Sequence, residues 1–114
     1  MKSVDQWLRE SITSYHRLAA EAELLDEHLR DLSVADINRR CARLDDQCRD
    51  LLAHDEKLHQ ILTFVGSEVL GNPLLCAYQQ ALTTAIEVID RVAVTATRQK
   101  HQLENYKRGS GLVF

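Results

Sequence analysis

The run Leu74–Tyr106, LLCAYQQALTTAIEVIDRVAVTATRQKHQLENY, decides the fold. Leu75, Tyr78, Leu82, Ala85, Ile89, Val92, Ala96, Gln99, Leu103 and Tyr106 follow one another in it at alternating spacings of three and four. That is the period of a long packed helix. Leu74, Ala81, Ile86, Val88, Ala93 and Val94 add a second stripe, and between Ala81 and Ala96 only Thr83, Thr84, Glu87, Asp90, Arg91 and Thr95 interrupt the apolar arc. One neighbouring helix cannot cover an arc that wide, so the helix either sits centrally or keeps a face for something else. The candidate partner-binding residues are therefore Leu82, Ile86, Val88, Ile89 and Ala93, with Tyr106 at the end of the run.

Working outward, Gly71-Asn72-Pro73 is the clearest punctuation in the chain: glycine ends one helix, asparagine caps the next, and proline suits its first turn. Upstream, Ile37, Cys41, Leu44, Cys48, Leu51, Asp55, Leu58, Leu62, Val65 and Val69 keep the same alternation, with Asp55 the one charged residue in that seam. Ser33, three residues before Asp36, marks the start of this second helix. A first helix starts at Ser3, where Gln6 completes a capping box, and carries Leu8, Tyr15, Leu18, Ala22, Leu25, Leu29 and Leu32 on its seam. Trp7 lies beside that seam.

The fold class predicted is all-α: an antiparallel bundle of three long helices with heptad-like packing, over residues 1–108. A flexible tail is expected over 109–114, after Gly109-Ser110-Gly111 and ending in Leu112, Val113 and Phe114. Helices of ~28, ~36 and ~34 residues, at 1.5 Å each, are ~40 to 50 Å long. Folding the seams back at short turns pairs Leu25 with Leu44, Ala22 with Cys48 and Tyr15 with Asp55, and across the second turn Val65 with Tyr78, Leu58 with Ala85 and Cys48 with Ala96. Asp55 is then expected to meet the Tyr15 hydroxyl.

Composition agrees. The 114 residues hold one proline and 5% aromatics, which suits helices, and their length suits one domain. A net charge of −3 with acids and bases interspersed argues against a nucleic-acid binder. No run approaches the ~18 apolar residues of a membrane span, and Asp5, Arg9 and Glu10 interrupt any signal-like stretch, so the expected location is cytoplasmic.

Little in the chain suggests chemistry. His54 and His59 are five apart, ~140° around a helix, and cannot share a metal as the four-apart histidines of HExxH do. Glu56-x-x-His59 is half of a di-iron pattern whose other carboxylates are missing from helices one and three. Cys41 and Cys48, one heptad apart at ~10 Å, are beyond disulfide reach and read as small core residues. No phosphate-binding loop and no nucleophile with a base and acid recur together, so no enzyme, metal or cofactor is expected.

With the helices placed, the chain resembles the FlgN-type flagellar export chaperones. The resemblance rests on the leucine-rich Leu24–Leu32, the turn-like Leu32-Ser33-Val34-Ala35-Asp36, the register after it, and Tyr106-Lys107-Arg108-Gly109, and it covers most of the chain. It implies a cytosolic chaperone of type III (flagellar) secretion that holds the C-terminal helix of a hook-filament-junction-like export substrate. It also implies a tail that contacts the export machinery. The alternative is a structural bundle that buries the same face in a homo-oligomer.

Overall fold

The computed structural model describes residues 2–66 and 70–113, with side chains as far as residue 106. Its three helices are α1 (Val4–His28), α2 (Val34–Val65) and α3 (Pro73–Val113). They form the three-helix bundle the seams predict.

The caps follow the sequence. Ser3 Oγ accepts from the Gln6 amide at 3.2 Å while Gln6 Oε1 accepts from the Ser3 amide at 2.8 Å, so the capping box is complete. After α1 a single 3₁₀ turn, Leu29–Asp31, reverses the chain, and Ser33 Oγ accepts from the Asp36 amide at 3.2 Å to open α2. Asn72 Oδ1 likewise accepts from the Leu74 amide at 2.9 Å. The same side chain donates from Nδ2 to Asp5 Oδ1 at 2.7 Å, tying the start of α3 to the start of α1. Farther along, Arg91 Nη2 lies 3.8 Å from Glu23 Oε1. Helices α1 and α3 therefore run parallel, and α2 runs antiparallel to both.

Contact among the three is unequal. α1 packs closely on α3, less on α2, and α2 and α3 barely touch. The buried core shows the same bias: seven residues of α1, from Leu8 to Leu25, and Tyr78, Ala81, Ala85, Val88, Val92 and Ala96 of α3, but only Ile37, Asp55 and Leu58 of α2. Cys41, Leu44, Cys48 and Leu51, all on the α2 seam, are only half-buried.

Two features depart from the sequence reading. The α2–α3 register is displaced: Tyr78 meets Asp55 rather than Val65, ten residues away along α2, and Ala85 shares a groove with Cys48, which had been paired with Ala96. The cause is Gly66, whose φ of +60° ends α2 at Val65, six residues before Gly71. Positive φ is accessible to glycine without the steric cost other residues meet. The connection from Gly66 to Asn72 is then too long to set the register as a tight turn does, and the end of α2 overhangs the start of α3, leaving Phe64 92% exposed. Val69, the last position of the expected seam, lies outside the described residues.

The second departure is at the C-terminus. The backbone of α3 stays helical to Val113, through Gly109-Ser110-Gly111, where the sequence places its end. Each helical glycine costs ~1 kcal/mol, but no proline follows, and extending a formed helix is far easier than starting one. How the side chains of Leu112, Val113 and Phe114 lie is a question outside the described residues.

Candidate functional site

Because α2 and α3 diverge, an open apolar groove of about 210 Å³ lies between them. Tyr15 and Leu18 of α1 form its floor; Cys48, Leu51 and Leu52 form one wall; Leu82, Ala85, Ile86 and Ile89 form the other, with Asp90 on the lip. Leu52 is 67% and Ile86 50% exposed, so large aliphatic groups face water across a floor that belongs to the core. Leaving such surface wet forgoes about 25 cal/mol per Å² of apolar area.

Of the residues singled out in the sequence, Leu82, Ile86 and Ile89 come together on this wall. Ala93 is exposed two turns beyond Ile86. Val88 is buried instead, since it continues the Ala81–Ala85–Val92 stripe that packs into the core. Tyr106 is 76% exposed, twenty residues or ~30 Å from Ile86 along the helix, and does not belong to the groove. The α2 wall was missed: Leu52 falls outside the seam, and the adjacent pair Leu51-Leu52, which widens the apolar arc of α2, is the signal that would have found it.

One end of the groove is closed by a polar layer. The Tyr15 and Tyr78 hydroxyls both donate to Asp55 Oδ2, each at 2.7 Å, with their rings edge-on at 6.0 Å between centroids. Asp55 is 7% exposed; its Oδ1 is enclosed without a hydrogen-bond partner, and His59 Nε2 lies 3.9 Å from Oδ2. The contact expected between Asp55 and Tyr15 is present, and Tyr78 joins it through the displaced register. Farther along the two helices, Lys100 Nζ on α3 donates to Asn38 Oδ1 on α2 at 3.1 Å.

Burial first, and then hydrogen bonding to the Asp55 carboxylate, push both tyrosine hydroxyls well above their ordinary value near 10. The folded state thus holds these protons more tightly than the unfolded chain. The associated stability is complete below about pH 10 and is lost as pH rises above it, because only the unfolded chain then releases them. Each tyrosine can contribute up to about 1.4 kcal/mol per pH unit. Urea midpoints should therefore fall between pH 9 and 11, and the fall should be shallower in a Tyr15→Phe/Tyr78→Phe variant; equal slopes would show that the hydroxyls ionise as freely in the bundle as in the unfolded chain.

A second polar cluster lies on the α1–α2 side. Ser11 Oγ is 3.1 Å from His54 Nδ1, and His54 Nε2 faces Glu10 Oε2 at 3.5 Å, too long for a well-formed hydrogen bond. Trp7 stacks at a tilt on His54 with centroids 4.8 Å apart, and Lys2 lies over Trp7 while donating to Glu10 at 2.9 Å. That bond from Lys2 is the main reason the Glu10 carboxyl sits below its usual range. Serine, histidine and glutamate follow one another here in the order a nucleophilic site uses, with Ser11 fully buried between α1 and α2. The cluster pins the indole across the end of the bundle. Burial raises the Cys41 and Cys48 thiols, which suits packing groups rather than thiolates. No helix among the described residues is long and apolar enough to cross a membrane.

Comparison with known protein families, with curated proteins and with solved structures finds no match to this chain.

Proposed function

We propose that the chain holds an amphipathic helix of a partner protein in the α2–α3 groove. The partner would be an export substrate of type III (flagellar) secretion, such as the C-terminal helix of a hook-filament-junction-like protein held in the cytoplasm by a FlgN-type chaperone. One observation carries this reading: Leu52 and Ile86 stand exposed on opposite walls of a groove floored by the core residues Tyr15 and Leu18. Helix-in-groove recognition needs such an arrangement, a preformed trough that accepts residues repeating at i, i+3, i+4 and i+7. The family part of the proposal rests on Leu24–Leu32, the turn at Ser33 and Tyr106-Lys107-Arg108-Gly109. In it the end of α3 would contact the export machinery.

The test is Ile86→Asp, followed by size-exclusion chromatography with light scattering, alone and with secreted candidates. An aspartate at a half-exposed site is tolerated in the free bundle but is desolvated and uncompensated once a helix lies over it. The variant is expected to stay folded and to lose capture by at least ~100-fold, the equivalent of about 3 kcal/mol. If it instead turns a wild-type dimer into a folded monomer, the groove is a self-association seam. If the bundle unfolds, Ile86 belongs to the core and the groove is not a binding surface.

A further inference from the structure

The charges around the groove specify its occupant further. Leu52 lies seven residues from Asp45 and four from Glu56, which places all three along the outer edge of α2, while Asp90 follows Ile86 by one turn on the facing lip. None of Asp45, Glu56 and Asp90 takes part in an ion pair among the described residues. The cation on the same edge, Arg49, lies 4.0 Å from Asp46, and Arg91 on α3 is turned away toward Glu23 of α1. The lips are thus acidic on both sides.

The groove is short: its walls run from Cys48 to Leu52 on α2 and from Leu82 to Asp90 on α3, roughly 6 and 12 Å. That is room for about two turns of a docked helix.

We infer that the groove takes a single partner helix whose apolar stripe is flanked by lysine or arginine. The inference rests on the helix-holding reading above and adds the partner's charge. A second copy of the chain is the poorer occupant, since it would bring the same acidic lips against each other and would have to desolvate like charges. A basic-flanked helix places cations against Asp45, Glu56 and Asp90 as its apolar face fills the trough. Such rim pairs act more on selectivity and association rate than on total affinity, and salt screens them.

Two labelled 18-residue peptides with an identical leucine stripe, one flanked by lysine and one by glutamate, test this by fluorescence anisotropy against the whole chain. At low salt the lysine peptide should bind at least tenfold more tightly, the gap should narrow in 0.5 M salt, and Glu56→Lys/Asp90→Lys should reverse the preference while far-ultraviolet circular dichroism shows the bundle intact. Ile86→Asp should abolish binding of either peptide. Equal affinities that Ile86→Asp still abolishes would overturn the charge inference and leave the groove standing, as would tighter binding of the glutamate peptide. Failure of both peptides to bind would overturn the groove reading together with the inference.

Discussion

Asp55→Ala is expected to destabilise the bundle by about 3–5 kcal/mol, seen as a fall in the urea midpoint and in the melting temperature. The two tyrosine hydroxyls that now donate at 2.7 Å to one carboxylate oxygen would stay in place with no acceptor. Each buried and unsatisfied hydroxyl costs about 1–3 kcal/mol, before any term for the space the carboxylate leaves. For a domain of this size each kcal/mol corresponds to about 4–8 °C. The triple change Asp55→Leu/Tyr15→Phe/Tyr78→Phe should recover most of the loss, because no polar group is then stranded and the unpartnered Oδ1 of Asp55 is removed as well. If the single variant melts within a degree or two of wild type, Asp55 does not hold the three helices together.

This layer also joins one each of the three helices' side chains at a point where α2 and α3 otherwise hardly meet. Slipping α2 by one heptad along α3 would set Cys48 or Leu62 against the tyrosines and leave Asp55 in apolar surroundings. An apolar seam tolerates such slippage, and a buried polar group penalises it. Asp55 therefore selects one register, and with it the facing of Leu52 and Ile86 that forms the groove.

What could be read from the sequence follows from which physical signals are local. Helix seams and caps depend on residues within a turn or two, so Ser3 with Gln6, Ser33 with Asp36, and Asn72 before Pro73 were legible. The Tyr15–Asp55 contact was legible as well, because α1 and α2 are joined by one short turn that transmits register. Tyr78 as a second donor was not. That required knowing that α2 stops at Gly66, whereas Gly71, followed by Asn72 and Pro73, is the stronger stop signal in the sequence and Gly66 lies inside an unbroken seam. The surplus arc of α3 announced Leu82, Ile86 and Ile89, but the width of an arc does not say which edge is covered. Val88 shares the arc and faces the core. Leu52, on α2, was hidden because a seam drawn at three-and-four spacing admits only one of two adjacent leucines.

Leu58→Ala is expected to cost about 2–5 kcal/mol, while Leu52→Ala should change stability by no more than about 0.5 kcal/mol. The two leucines lie six residues apart on α2, yet Leu58 is fully enclosed and Leu52 is mostly exposed on the groove wall. Truncating Leu58 removes buried methyl groups and leaves a cavity next to the Asp55 layer, a site where the neighbouring tyrosines are held by hydrogen bonds and cannot collapse inward. The loss should therefore fall toward the upper part of its range, since the penalty grows with the cavity that remains. Leu52 has few packed neighbours to lose in the free bundle, and its removal should appear in binding, as a roughly tenfold weakening of a docked helix, about 1.4 kcal/mol. Chemical denaturation of both variants beside peptide titrations checks the pair. If Leu52→Ala destabilises as much as Leu58→Ala, the groove is closed in solution and α2 is rotated toward α3. If neither destabilises, α2 is not seated on α1 at the position fixed by Tyr15 and Asp55.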